Sequence, residues 1–248
     1  MTASAWDCRI ARAEELAHTC PPAAELLRFY GEVLRFQQNI YKQLKPDRGH
    51  SPVSVLLPHF RTLLSLVKRI GPAPVAHVAG ELAQDQSQWE DLLANGEDAR
   101  PEREFFAHCL LQPYTEYMAG RSDIALGVVQ PACPFCASKP VAAVLRGEGD
   151  GAKRFLLCSL CATEWEFRRL LCPNCGEENE PKLPVYTAQE FPHVRIEACD
   201  SCRTYIKSVD LTKNGLAVPV VDEIATVSLN LWAEEHGYTK LQLNLLGM

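Results

Sequence analysis

The sequence predicts an α+β protein: an N-terminal helical domain, then two tandem ribbon-type β-hairpin modules, then a C-terminal helix. Three observations predict it. Up to about residue 120, apolar residues recur at three-to-four spacing, the period of a helix with one buried face. Beyond that, short β-branched or alternating runs separated by turns take over. That second half carries four Cys-x-x-Cys pairs: Cys133/Cys136, Cys158/Cys161, Cys172/Cys175 and Cys199/Cys202, eight of the 11 cysteines in the chain.

The helical pattern opens at Ala23. Leu26, Leu27, Tyr30, Val33, Leu34, Ile40, Tyr41 and Leu44 form one stripe, Pro21 and Pro22 suit the entry, and Pro46 and Gly49 close it. A second helix is expected from Pro58 to Ile70, broken by Gly71-Pro72-Ala73-Pro74. A third is expected from Val75 to Ala94, stopping at Asn95-Gly96. A fourth runs from Pro101 through Phe105, Phe106, Leu110 and Leu111, bends at Pro113 and ends by Gly120. Cys8, Cys20 and Cys109 stand alone in this half and read as thiols without chemistry.

The character changes after Gly127. Val141–Leu145 and Lys153–Leu157 read as two strands joined by the turn Arg146-Gly-Glu-Gly-Asp-Gly151. One cysteine pair precedes the first strand and another follows the second, so closing the hairpin brings the pairs together. Thr163–Leu171 alternates, with Trp165 and Phe167 on one face. The pattern then repeats. Leu183–Tyr186 is a strand, Thr187–Pro192 a turn, Val194–Ala198 a strand into the last pair, and Arg203–Val209 a strand beyond it. Cys133 to Cys172 is a step of 39 residues and Cys158 to Cys199 one of 41, which marks a duplicated unit. A last helix is expected from Asp222, as N-cap, to His236, stopped by Gly237, and the leucines of the tail pack down. The expected divisions are 1–128 for the helices, 129–168 and 169–212 for the two modules, and 213–248 for the closing segment.

Two sulfurs on one tight turn grip one side of a metal ion, and a second turn completes a tetrahedral four-sulfur cage suited to zinc or to a single iron. Eight cysteines make two cages. Pairing in sequence order gives Cys133, Cys136, Cys158 and Cys161 in one and Cys172, Cys175, Cys199 and Cys202 in the other. A cross-braced pairing of the first with the third turn is the alternative, and the hairpin argument favours the sequential form. Gly176 follows Cys175 and permits a positive φ there; Ala137, Ala162 and Arg203 occupy the matching places in the other turns. A cage of four sulfurs has no open coordination position, which favours structure or electron storage over hydrolysis. The seven histidines show no ligand spacing, and His193, inside the second module, is the one to examine. No phosphate-binding glycine loop, nucleophile elbow or His-Glu-x-x-His motif occurs.

The formal net charge is −6, and thiolates holding divalent ions make it more negative. That disfavours general nucleic-acid binding, which wants clustered Lys and Arg. Lys153, Arg154, Arg168 and Arg169 are the basic candidates, expected to be a solvated strand face. No apolar run is long enough to span a membrane and no secretory signal is visible, so a cytoplasmic protein with reduced, metal-binding cysteines is expected, without membrane insertion.

The arrangement resembles the formate dehydrogenase accessory (formation) proteins, the FdhE family. The residues that carry it are Cys133-Pro-Phe-Cys136 with Lys139-Pro-Val-Ala142, Phe155-Leu-Leu-Cys158-Ser-Leu-Cys161-Ala-Thr-Glu-Trp165, Cys172-Pro-Asn-Cys175-Gly176, Cys199-Asp-Ser-Cys202-Arg-Thr-Tyr-Ile-Lys207, and Asp222-Glu-Ile-Ala through Glu235-His-Gly-Tyr238. The likeness is specific over about 131–238 and weaker in the helical half. It implies a non-catalytic cytoplasmic assembly factor with rubredoxin-like or zinc-ribbon modules. Such a factor contacts the catalytic subunit of a respiratory formate dehydrogenase before export by the twin-arginine route. Iron of the rubredoxin type, one per four-cysteine site, or zinc is the implied metal, and a homodimer stays open. A nucleic-acid-binding zinc-ribbon protein and a thiol or iron redox protein are the competing readings.

Overall fold

A computed structural model describes residues 4–45, 51–95, 100–123 and 130–248. Pro46, Gly49, His50, Gly96, Gly127 and the expected division at 128/129 lie outside these residues.

The N-terminal half contains α1 (Ala5–Thr19), α2 (Ala24–Gln43), α3 (Pro52–Ile70), α4 (Ala73–Gln84), α5 (Gln88–Asn95) and α6 (Pro101–Ala119). Helix α1 lies ahead of the pattern that begins at Ala23. It starts with a capping box in which Ser4 and Asp7 satisfy each other's backbone N–H, and it buries Trp6, Ala13 and Ala17. Helix α3 begins six residues before Pro58. That proline sits inside the helix, where it removes one backbone bond without ending the run. The predicted single helix over 75–94 is two helices. The Asp85 carboxylate accepts from the Ser87 N–H, the Ser87 hydroxyl and Gln88 Nε2, and this local alternative to helical bonding splits the segment. Phe60, Trp89, Phe105 and Phe106 fill the centre, with Phe60 and Trp89 stacked at 4.8 Å.

The second half forms β1 (Pro140–Glu148), β2 (Gly151–Cys158), β3 (Glu164–Glu166), β4 (Val185–Thr187), β5 (Val194–Cys199) and β6 (Thr204–Asp210). Helices α7 (Pro219–Ala225) and α8 (Val227–Glu235) and the short β7 (Thr239–Lys240) complete it. The two modules are not separate ribbons. They share one sheet in the order β3-β2-β1-β6-β5-β4, with β7 beside β6. Each module runs cysteine pair, strand, strand, cysteine pair, strand, and its three strands lie in reverse order across the sheet. The first strand of one module therefore meets the third strand of the other, in parallel, from Ala142↔Lys207 to Leu145↔Asp210. Tandem copies with one orientation produce this parallel seam between two three-stranded antiparallel modules, and β7 adds a second parallel pairing at β6.

The strand expected over Thr163–Leu171 is only three residues long, because the chain leaves the sheet once Phe167 N–H has bonded Arg154 O. Trp165 and Phe167 are nevertheless both buried, as the alternation predicts. The expected helix from Asp222 to His236 breaks at Thr226, whose hydroxyl donates back to the carbonyls of Asp222 and Glu223. Asp222 is not an N-cap residue. Its carboxylate lies inside the first helical turn, accepts from Val218 N–H at 2.7 Å and is itself buried. The carbonyls that end α7 are taken by Lys207 of β6, which is wholly buried and donates to Glu223 O and Thr226 O. Gly237, at φ 76°, ends α8 as predicted. In the tail Leu241 and Leu245 pack down, and Leu243 stays exposed. No described helix is long and apolar enough to cross a membrane.

Candidate metal centre

Each cysteine pair sits on a tight turn with a repeated bonding scheme. The first cysteine accepts at its carbonyl from the N–H four residues on: Ala137 to Cys133, Gly176 to Cys172 and Arg203 to Cys199. The N–H of Cys133, Cys158 and Cys172 donates to the carbonyl five residues on, at Ser138, Thr163 and Glu177. This geometry forces the residue after the second cysteine to positive φ in all four turns: Ala137 at 61°, Ala162 at 55°, Gly176 at 75° and Arg203 at 57°. Only one of them is the glycine that adopts it without strain. The turn also aims backbone N–H groups at sulfur, from Phe135 to Cys133, Leu160 to Cys158 and Asn174 to Cys172, each at 3.4 Å.

The hairpins bring the pairs together in sequence order. Cys133, Cys136, Cys158 and Cys161 form one cluster and Cys172, Cys175, Cys199 and Cys202 the other, the four sulfurs of each lying within 4.8 Å of one another. Contact distances are 3.4 Å for Cys133–Cys161 and Cys136–Cys158, and 3.7 and 3.6 Å for Cys172–Cys202 and Cys175–Cys199. A tetrahedron with metal–sulfur bonds of about 2.3 Å has edges of about 3.8 Å, so both donor sets fit a single tetrahedral ion. The crowding shows in the thiols. Cys133 and the other sulfurs of its quartet push Cys136 well below the ordinary thiol range and Cys158 well above it. A cation among the four removes this conflict, since all four become thiolates.

The inner quartet is seated between the sheet and α6. Gln112 Nε2 donates to Ser159 O at 2.9 Å and Thr115 Oγ1 to Leu160 O at 3.2 Å. Trp165, Phe167, Leu156 and Leu241 pack with its cysteines, and Trp165 Nε1 donates to Gln130 O. The outer quartet lies at the far module, with Cys175 exposed.

One set of neighbours went unread in the sequence. Two residues after the second cysteine of each turn stand Ser138, Thr163, Glu177 and Thr204. The hydroxyls lie 3.4, 3.1 and 3.0 Å from the sulfurs of Cys136, Cys161 and Cys202. The Cys-x-x-Cys-x-Ser/Thr spacing held that signal in three of four copies.

His193 is not a ligand. Its Nε2 lies 2.8 Å from Asp222 Oδ1, and no described histidine joins either cluster. The basic candidates are not a free face. Arg154 is buried and bonded to Glu197 at 2.8 Å, which corrects the expectation of a solvated side chain. Lys153 pairs with Glu148 and Glu166, and Arg168 with Glu178. Of the three lone cysteines, Cys109 is buried, which pushes its thiol well up; Cys8 is exposed and Cys20 partly so.

Comparison with known proteins matches two family models in succession: FdhE, central domain, over residues 132–169, and FdhE, C-terminal domain, over residues 170–246. A protein FdhE homolog of Aquifex aeolicus is 43% identical over 116 residues, 46% of this chain and 41% of the relative. One from Edwardsiella ictaluri is 31% identical over 202 residues, 75% of this chain and 65% of the relative. The chain thus spans less than two thirds of the length of these two. A third, from Pectobacterium atrosepticum, is 26% identical over 97% of this chain and 86% of its own. The crystal structure of the FdhE protein from Pseudomonas aeruginosa shares the fold, with a TM-score of 0.75 and 23% identity over 99% of this chain and 97% of that one.

Proposed function

The chain belongs to the FdhE family, and on that premise we propose that it is a non-catalytic, cytoplasmic accessory protein for a respiratory formate dehydrogenase. In this reading it binds the catalytic subunit before export, and each cysteine quartet holds one ion, zinc or rubredoxin-type iron. The observation that carries the reading is a coincidence of residues. The stretch matched by the two family models, 132–246, is the stretch that folds all eight cysteines into two closed four-sulfur clusters.

The chemistry of the donor set supports a non-catalytic role. When bound, an ion cross-links four thiolates and, as iron, stores one electron; it has no vacant position for a substrate or a water. The chain's own residues then make a stiff body. The inner quartet is tied to α6 through Gln112 and Thr115, and α1 is tied to α7 through Arg12 and Asp222. Such a body presents a fixed surface to a protein client. The nucleic-acid reading gains nothing from the ribbons, where Arg146, Arg168 and Arg203 are engaged by Glu164, Glu178 and Asp200.

The test is capture of the purified catalytic subunit of formate dehydrogenase by the immobilised chain, beside an immobilised unrelated protein of similar charge. Enrichment on the chain is expected. Equal retention on both would remove the proposed partner.

A further inference from the structure

The two quartets share a design and differ in what surrounds them. In the inner one, Cys133, Cys158 and Cys161 are 2–3% exposed and only Cys136 reaches toward solvent. Helix α6 bonds the carbonyls of its 158–161 turn, and an apolar shell including Trp165 and Leu241 packs against its cysteines. In the outer one, Cys175 is exposed, Cys202 is half-buried, and Asn174 and Gly176 beside Cys175 are exposed as well. None of its four cysteines belongs to a packed apolar cluster among the described residues.

The hydroxyl neighbours differ in the same sense. Both second cysteines of the inner quartet have one, Ser138 at Cys136 and Thr163 at Cys161. In the outer quartet Thr204 serves Cys202, but the matching neighbour of Cys175 is Glu177. A carboxylate has no proton to donate to a thiolate. Glu177 is turned away to Ser201 and to the N–H groups of Glu178 and Asn179. A cleft also reaches the outer quartet, although Cys172 and Cys199 are themselves buried. Cys172 and Cys199 line a cleft of about 210 Å³ with Leu170, Val185, Arg169 and Arg195, and Leu170 and Val185 are half exposed.

A closed four-sulfur cage loses its ion only when an incoming ligand displaces the sulfurs in turn. Burial blocks the approach, and hydrogen bonds from the surroundings hold each sulfur in place. The inner quartet has both protections, whereas in the outer one Cys175 is exposed and has a backbone N–H from Glu177 but no hydroxyl beside it. We propose that the two sites are divided in role: the inner ion is a locked structural element, and the outer ion is exchangeable, released to and taken back from soluble thiol or nitrogen-donor ligands. In that exchange the incoming donor atoms replace the four sulfurs, the ion leaves with its charge unchanged, and the freed thiolates take up protons from water. No electron moves. The proposal rests on the reading that both quartets bind metal.

The experiment uses the full chain loaded with zinc and mixed with excess 4-(2-pyridylazo)resorcinol, whose absorbance counts released ions. Samples are alkylated with iodoacetamide as release proceeds, and peptide masses show which cysteines have been freed. The expected result is two phases of one equivalent each, the first faster by about tenfold or more, the scale of effect that surroundings exert on a metal site. Cys172, Cys175, Cys199 and Cys202 should be alkylated in the first phase. A single phase for both ions, or earlier alkylation of Cys133, Cys136, Cys158 and Cys161, overturns the division of roles and leaves metal binding standing. A chain that binds no zinc overturns both.

Discussion

Arg12 of α1 and Asp222 of α7, 210 residues apart in the chain, meet in a two-pronged ion pair at 2.6 and 3.1 Å. His193 of the outer module closes on the same carboxylate at 2.8 Å. One side chain thus ties together the first helix, the closing helix and the second ribbon. Asp222 is 1% exposed, so removing it leaves the buried Arg12 guanidinium with Glu15 as its remaining ion-pair partner. Asp222→Ala should cost about 3–5 kcal/mol, as breaking a buried pair does. Chemical denaturation checks it; a loss below about 1 kcal/mol, the scale of an exposed pair, would show that the junction does not depend on this contact.

Acid should loosen the same region. Burial works to raise the Glu223 pKa, but Lys207 and Lys240 outweigh it and hold the carboxyl at about 2 against an ordinary 4.5. Asp222 is held below its usual range in the same way, with burial opposed by His193 and Arg12. Both carboxyls bind protons more weakly folded than unfolded. Their contribution is therefore complete above the unfolded values and is lost as pH falls toward the folded ones. Melting temperature should drop between pH 4.5 and about 2, with a shallower slope in Glu223→Gln. Cysteine protonation is common to both proteins, so equal slopes would exclude Glu223 as the source.

The four turns make a matched test of backbone strain. Ala162 holds φ at 55°, which costs an L-residue about 1–2 kcal/mol and glycine almost nothing. Ala162→Gly should be neutral to stabilising by up to about 1 kcal/mol, because the added freedom of the unfolded chain takes back part of the gain. Gly176→Ala should lose about 1 kcal/mol through φ alone, since nothing lies within 4 Å of the added methyl. A lowered denaturation midpoint for Gly176→Ala beside an unchanged or raised one for Ala162→Gly is the expected outcome; a stabilising Gly176→Ala would contradict the strain argument.

Serine in place of a ligand separates the two quartets by their surroundings. Cys158→Ser should remove one equivalent of metal and lower the melting temperature of the whole chain, because that cage is packed between the sheet and α6. Cys172→Ser should also remove one equivalent but open only the outer module. Elemental analysis and amide hydrogen exchange read both effects. Equal exchange patterns in the two variants would mean that the inner cage does not stiffen the helical half.

Much of this protein was legible in the chain. The α+β class, the hairpin read over Val141–Leu145 and Lys153–Leu157, the duplicated unit and the sequential quartets all follow from local rules, because turn chemistry, alternation and Cys-x-x-Cys spacing act over a few residues. The breaks at Asp85 and Thr226 were missed, because each turns on one side chain competing with the helical backbone, and the start of α3 was missed because the helix carries Pro58 in its interior.

By itself, the sequence determined which eight sulfurs would meet and that two cages would form, since each hairpin delivers its own pairs. Only the tertiary structure decided that the modules fuse through β1 and β6 into one sheet, that Asp222 is a buried junction and not a cap, and that one cage is enclosed while the other faces solvent. Those outcomes depend on partners up to 210 residues apart in the chain. Burial belongs to the assembled surfaces, and no short stretch of sequence carries it.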